Sequence, residues 1–320
     1  MTAYIVRRLI QALFTLLLVT AVVFLVMRLL PGDPLLLYVA EMQADTSELT
    51  PEAIADLRHQ YGLDKPLAVQ YISWLGGVLH GDFGTSIYYK EKVSTLLLER
   101  YPITIHLGVL AFILSTVLGI LSGTIAALRR GKKADAILTP LTYIGITIPT
   151  FWFGVLLIYF FGLKLGWLPT QGYTSPFDDF WLSTKQVIMP VICLSVFGLA
   201  ATARQMRSSM LEVIRQDYIR TAWSKGLRER DIVVIHAMKN SLIPVITLLG
   251  MAVRVIFGGS VLIETVFNIP GLGRLIVTSI FGQDYVVVQA STLVIAILII
   301  LSNLMVDLSY GWLDPRIRYS

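Results

Sequence analysis

Six stretches of this 320-residue chain are apolar for long enough to cross a lipid bilayer as helices, and nothing else in the sequence restricts the fold as strongly. They run at about Leu9–Leu30, Ile103–Leu128, Ile137–Leu163, Val187–Ala203, Leu242–Phe267 and Val286–Tyr310. About 20 apolar residues in a helix reach across the hydrocarbon core. Inside lipid, backbone N–H and C=O groups must be paired within the protein, which leaves helices or a closed barrel. The alternating polarity of barrel strands is absent. The sequence therefore predicts an all-α polytopic membrane protein with six transmembrane helices. Composition agrees: 55% of residues are hydrophobic and 15% charged, against about 25% charged in soluble domains.

Lys and Arg set the orientation, because cytoplasmic loops collect them. Placing both termini in the cytoplasm puts Arg7 and Arg8, the cluster Arg129, Arg130, Lys132 and Lys133, the run from Arg204 to Lys239, and Arg316 and Arg318 on the inner side. These are most of the 26 Lys and Arg residues. The net charge of +5 follows this membrane pattern and does not point to nucleic acid. Arg7-Arg8 before an apolar stretch resembles the start of a signal peptide. Leu9–Met27 is longer than a signal core, however, and no small-residue cleavage site ends it, so it reads as an uncleaved first span.

Residues 31–102 form the one sizeable segment assigned to the outer side. Leu30-Pro-Gly-Asp-Pro34 stops the first helix. Thr50-Pro51-Glu52 then combines an N-cap, a proline at the first helical position and an acid in the first turn. A helix Thr50–Tyr61 ending at Gly62 is expected, then a second over Pro66–Leu79 closed by Gly81-Asp-Phe-Gly84. This cap serves either as a lid on the first span or as a dock for a soluble partner. The expected division is thus 1–102, the first transmembrane helix plus a small cap on the outer side; 103–310, a five-helix core carrying a cytoplasmic loop at 204–241; and 311–320, a cytoplasmic tail.

Several residues interrupt the spans. Arg254 lies about 18 Å into the fifth, near the bilayer midplane. A charge there faces the bundle interior or a wet cavity. It is either a pathway candidate or half of an ion pair with Glu264 or Asp307. Pro149, between Thr147 and Thr150, predicts a kink in the third span, where threonine hydroxyls can re-satisfy freed backbone groups. Between spans five and six, Pro270 with Gly271 and Gly273 prevents one continuous helix, and Leu275–Gly282 is too short to cross. The single cysteine, Cys193, reads as apolar packing, and the four histidines stand at no ligand spacing, so no metal site is expected. No nucleophile–base pair or carboxylate pair marks a catalytic site, and no cofactor is expected.

The loop before the fifth span reads Tyr218-Ile-Arg-Thr-Ala-Trp-Ser-Lys-Gly226-Leu-Arg-Glu-Arg-Asp231, then His236-Ala-Met-Lys-Asn240. From Met210, the apolar residues Met210, Val213, Ile214 and Tyr218 recur at helical spacing, with Ile219 and Ala222 one position off. Gly226 breaks that helix. Asp231–Met238 forms a second amphipathic stretch, and Pro244 starts the next span. The expected form is a helix–Gly–helix hairpin on the cytoplasmic surface. It either holds the interface by positive charge or docks a cytoplasmic protein.

Arg220-Thr-Ala-x-x-x-Gly226 with His236-Ala-x-Lys-Asn240 resembles the EAA loop of importer-type ABC permeases, in the branch that carries dipeptides, oligopeptides, glutathione or nickel. The family's leading Glu is Arg220 here and its first Ala is Thr221, while Ala222 and Gly226 match. The usual Leu-Pro is replaced by Met238-Lys239, with the proline displaced to Pro244. Leu30-Pro-Gly-Asp-Pro34, Tyr61-Gly-Leu-Asp-Lys-Pro66, Gly81-Asp-Phe-Gly84, Arg207-Ser-Ser-Met-Leu-Glu212, Pro270-Gly-Leu-Gly-Arg274, Asp284-Tyr285 and Asp314-Pro-Arg-Ile-Arg318 extend the likeness, in order, over nearly the whole chain.

The resemblance implies a type I ABC importer permease in the bacterial inner membrane. Its implied partners are two cytoplasmic ATP-binding subunits, a second homologous permease, a periplasmic or lipid-anchored solute-binding protein, and membrane lipid. Tyr218, Arg220, Thr221, Ala222, Lys225, Gly226 and Leu227 would then couple to the ATPases. The chain has no Gly-x-x-x-x-Gly-Lys-[Ser/Thr] phosphate cradle, so hydrolysis is expected on another subunit. Peptide is the expected cargo, with nickel or a metal chelate as the alternative. An ion-gradient-driven secondary transporter is the competing class, and it would ordinarily show more spans, internal repeats and midplane acids.

Overall fold

A computed structural model describes residues 2–29, 55, 59, 64–86 and 88–313. Among them the architecture is all-α, with one isolated antiparallel bridge between Thr85 and Lys92. The expected helix Thr50–Tyr61 lies outside the described residues except for Ala55 and His59, both helical. In chain order the helices are α1 (Thr2–Leu29), α2 (Leu67–Leu79), α3 (Val93–Leu128), α4 (Lys133–Thr147), α5 (Thr150–Lys164), α6 (Phe180–Val213), α7 (Asp217–Ser224), α8 (Glu229–Val266), α9 (Leu272–Phe281) and α10 (Tyr285–Leu313). Five of them are long and apolar enough to cross a membrane: α1, α3, α6, α8 and α10.

The remaining apolar run is a bent pair, α4 and α5, turned by 108° at Ile148-Pro149. The bend is far sharper than a proline kink, and the backbone shows why. Proline disfavours the helical region for the residue before it, and Ile148 is extended at φ −69°, ψ 127°. Pro149 is extended too, so two residues leave the helix rather than one. Thr147 Oγ1 donates to the carbonyls of Tyr143 and Ile144, adding to the last backbone bond of the helix, from Ile148 N to Ile144 O at 2.9 Å. The last turns of α5, Ile158–Lys164, are wound as π-helix.

Two spans begin earlier than the hydropathy pattern indicates. α3 starts at Val93 and carries Pro102 inside it, with Leu96 and Leu97 buried on its first turns. α6 starts at Phe180, where the Asp179 carboxylate accepts from Leu182 N at 2.9 Å and caps the helix. Ser183, Thr184 and Lys185 had masked these first turns by lowering the local hydropathy.

Two compact units partition the chain. The first comprises Met1–Arg8, Thr104–Ile269 and Ile299–Ser320. Its centre is α6, packed on α8, α4 and α5. Helices approach closely here because small residues line the contacts. A Cβ on Gly119 of α3 would lie 2.7 Å from Thr202 Cβ, and one on Gly123, a turn later, would strike the Ala203 carbonyl. Neither position has room for a side chain.

The second unit comprises Leu9–Ile103 and Pro270–Leu298. Phe24, Tyr71 and Trp74 pack edge-on and tilted at 5.4–6.4 Å between centroids, joining α1 to α2. The buried Asp284 carboxylate accepts from Ser86 Oγ and from Tyr88 N at 3.2 Å, pinning the loop after α2 to the start of α10. Gly81 and Gly84, which close α2, both take positive φ.

Candidate functional site

The polar segment after α6 does not continue that helix. α6 ends at Val213, and Gln216 is extended at φ −70°, ψ 149° before α7 restarts at Asp217. The interruption resets the helical phase. The periodicity carried through from Met210 therefore assigned the wrong inner face: Tyr218 is exposed, and the two residues one position off, Ile219 and Ala222, are the buried ones. Ile219 is 1% exposed. Both pack into a cluster with Ala127 of α3, Met206 and Met210 of α6, and Ile232, Ala237 and Val245 of α8. Full burial of a side chain such as isoleucine contributes about 1.5–3 kcal/mol, so α7 is fastened to the ends of three long helices.

The opposite side of α7 is open. Tyr218, Arg220, Thr221, Lys225, Gly226 and Leu227 are all exposed, and so is Trp223, at 50%. Arg220 Nη1 lies 3.4 Å from Asp217 Oδ1 on this open surface. The helix closes with a Schellman turn: Leu227 N donates to Ala222 O at 3.4 Å and Gly226 N to Trp223 O at 2.9 Å. Gly226 has φ +72°, which glycine adopts without a steric penalty. A Cβ there would meet nothing within 4 Å. Within this chain, then, Gly226 is required for its backbone angle and not for packing space.

The second stretch, expected as a separate amphipathic helix, is continuous with the span that follows. α8 runs unbroken from Glu229 to Val266 and takes a π-helical course over Ile232–Met238. Pro244 sits inside it, not at its start. Asn240 Nδ2 donates to the His236 carbonyl at 2.8 Å and to the Tyr218 hydroxyl at 3.1 Å. The two halves of the sequence motif therefore touch.

A neighbouring contact had no counterpart in the sequence reading. Arg207 of α6 donates from Nε to Asp135 Oδ1 at 2.7 Å and from Nη2 to Oδ2 at 3.0 Å. Asp135 also accepts from Gly131 N at 3.0 Å and Thr139 Oγ1 at 2.9 Å. This planar fork ties the α3–α4 turn to α6.

Residues 115–319 match the family described as binding-protein-dependent transport system inner membrane component, and residues 1–108 match its N-terminal membrane component. The chain belongs to that family. It is accordingly the permease subunit of an ABC importer, a multi-pass protein of the bacterial inner membrane, with ATP hydrolysis resident on separate subunits.

The permease is similar over its whole length to several curated proteins. A probable peptide ABC transporter permease of Sinorhizobium fredii is 42% identical over 319 residues, covering 100% of both chains. The oligopeptide transport system permease AppB of Bacillus subtilis is 40% identical over 322 residues, again 100% of both. The di/tripeptide transport system permease DppB of Pseudomonas aeruginosa is 38% identical, covering 100% of this chain and 99% of the relative. Among solved structures, the methionine ABC transporter MetNI in inward-facing conformations aligns with a TM-score of 0.57 at 18% identity. That alignment covers 68% of the permease and 96% of the MetNI chain, a likeness of fold.

Arg254 lies apart from the polar segment, midway along the apolar part of α8. The exposed positions there are Ile243, Pro244, Thr247, Met251, Arg254, Val255, Gly258 and Leu262, which recur at helical spacing along one helix face. Glu264 is buried and accepts from Thr104 Oγ1 at 2.8 Å, so it is not the partner that the sequence allowed for Arg254. The Asp307 side chain lies outside the described ones. Among the described side chains, Arg254 has no ion-pair partner. On insertion scales an arginine at a helix centre in lipid costs about 2.5–3.5 kcal/mol, which disfavours a lipid environment for this face.

Proposed function

We propose that the permease forms half of the translocation pathway of an ATP-driven importer for dipeptides or short oligopeptides, and that residues 217–227 receive the motion of the ATPase subunits. The observation that carries this reading is the two-sided character of α7. Its inner side is locked to α3, α6 and α8 through Ile219 and Ala222, while its outer side offers Tyr218, Trp223 and Leu227 among exposed polar residues. A grip on the outer side moves three helix ends together. Tyr218, Arg220, Thr221, Lys225, Gly226 and Leu227 supply the docking face, and Ala222 transmits inward with Ile219.

The peptide assignment rests on full-length relatives, 38–42% identical, that are named as peptide, oligopeptide and di/tripeptide permeases. The complex comprises two cytoplasmic ATP-binding subunits, a second homologous permease and a periplasmic or lipid-anchored solute-binding protein, all set in or on lipid. Counting the bent α4–α5 pair as one span gives six, with both termini cytoplasmic, an orientation the Lys and Arg distribution supports. On this reading residues 1–102 are the first span and its periplasmic cap, 103–310 the permease core with its coupling loop, and 311–320 a cytoplasmic tail. The face of α8 that carries Arg254 lines the pathway and meets the sister permease.

The test is purification of the tagged permease with its genomic neighbours, followed by uptake of a labelled dipeptide and tripeptide into proteoliposomes. Two ATP-binding subunits should copurify, and uptake should require both ATP and the binding protein. Uptake that follows an ion gradient without ATP would overturn the reading.

A further inference from the structure

We infer that Arg254 is a carboxylate-recognising group of the translocation pathway, taking the C-terminal carboxylate of the peptide as it passes the middle of the apolar part of α8. This rests on the peptide-import reading above.

The side chain is exposed on the permease and lies in the middle of an otherwise uncharged face built from Thr247, Met251, Val255, Gly258 and Leu262. Nothing near it on the helix neutralises it. The residues three and four positions away are Met251, Gly250, Phe257 and Gly258. The nearest charges along α8 are Lys239 and Glu264, about 22 Å and 15 Å away at 1.5 Å per residue. Glu264 is buried against Thr104. Snorkelling moves a charge only as far as its own side chain reaches, and neither helix end is that close. Among the described side chains, then, no anion meets the guanidinium, and one brought from outside the chain can.

The geometry around it suits a ligand that comes and goes. One turn along the same face is Gly258, where a Cβ would meet nothing within 4 Å. The backbone one turn on from Arg254 is thus uncovered, and a planar group can approach this face. A guanidinium binds a carboxylate through two parallel hydrogen bonds, and the contact strengthens beside apolar walls. The other described exposed positions of this face, from Pro244 to Leu262, carry no second cation, so the hold is a single fork that releases.

Peptide side chains vary, but a free C-terminal carboxylate is common to unmodified peptides. One arginine aimed at that group selects the class without reading the sequence.

The experiment uses the full complex in proteoliposomes and two forms of one tripeptide, with a free C-terminal carboxylate and with a C-terminal amide that the wild-type complex carries measurably. The binding protein is unchanged throughout, so its own preference cancels in the ratio of variant to wild-type uptake. Arg254→Met should lower uptake of the free acid about tenfold or more and leave the amide within about twofold. Arg254→Lys, which keeps the charge and loses the fork, should give a smaller loss still confined to the acid.

Equal losses for both peptides, or no loss for either, overturn the inference. Failure of Arg254→Met to assemble with the sister permease, with equal losses for both peptides in Arg254→Lys, assigns Arg254 to an interchain pair and also overturns it. Absence of ATP-dependent uptake of either peptide by the wild-type complex would count against the peptide-import reading itself.

Discussion

Two arginines of the same compact unit are used in opposite ways. Arg207 on α6 meets a carboxylate prepared for it: Asp135 already holds a backbone N–H and a threonine hydroxyl, and the guanidinium completes the set with two bonds at 2.7 and 3.0 Å. Arg254 on α8 is exposed and, among the described side chains, has no ion-pair partner. A charge whose partners are all built in contributes to the fold. A charge left open within the apolar part of a helix costs stability unless something else binds it, so it is kept for what it meets. The same contrast divides α7, where Ile219 and Ala222 are packed and Tyr218, Arg220, Trp223 and Lys225 are not.

The contrast can be broken by comparing stabilities of purified variants in detergent. Arg207→Met takes the counter-charge and two of four hydrogen bonds from the Asp135 carboxylate, whose side chain is only 10% exposed. It should lower unfolding stability by roughly 3 kcal/mol, toward the lower end for a severed buried pair because Arg207 itself keeps some exposure. Ile219→Ala removes the residue that fastens α7 and should cost about 2 kcal/mol, the low end for a large-to-small change because α7 is short and its neighbours can settle. Arg254→Met should stay within about 0.5 kcal/mol of wild type. If Arg254→Met proved as damaging as Arg207→Met, Arg254 would have a structural partner and the distinction would fail.

The spans were legible because hydropathy and helix length are local properties of the sequence. What escaped was either a change of phase or a long-range pairing. The inner face of α7 was misassigned because Arg215 and Gln216 carry no strong breaker, and the periodicity from Met210 looked continuous across them. Pro149 announced a departure from the helix. The 108° turn arises because Ile148 and Pro149 both become extended, and sequence alone does not give that angle. Gly226 was readable, since glycine after an amphipathic run marks a left-handed helix end, and its φ is +72°. Gly119 and Gly123 went unread, although their small-x-x-x-small spacing was the signal that could have found them. Asp135 and Arg207 stand 72 positions apart, and no spacing rule connects residues so distant. Arg254 was found as an isolated charge in an apolar run, but its exposure becomes visible only once α8 is packed.

Gly226 gives the most direct test of the claim that residues 217–227 couple this permease to ATP hydrolysis. Its backbone angle is special, and the space around it in this chain is empty. Asparagine tolerates the left-handed region comparatively well, so Gly226→Asn serves as the control for the turn. Gly226→Asp adds a charge of similar size, pointing where an ATPase subunit would press. ATP-driven peptide uptake should be measured in proteoliposomes for the wild type and both variants, with insertion and thermal stability checked for each. The expected result is normal insertion for both variants and uptake reduced about tenfold or more in Gly226→Asp, with ATPase activity no longer stimulated by loaded binding protein. Wild-type uptake and normal stimulation in Gly226→Asp would contradict the coupling role of this segment.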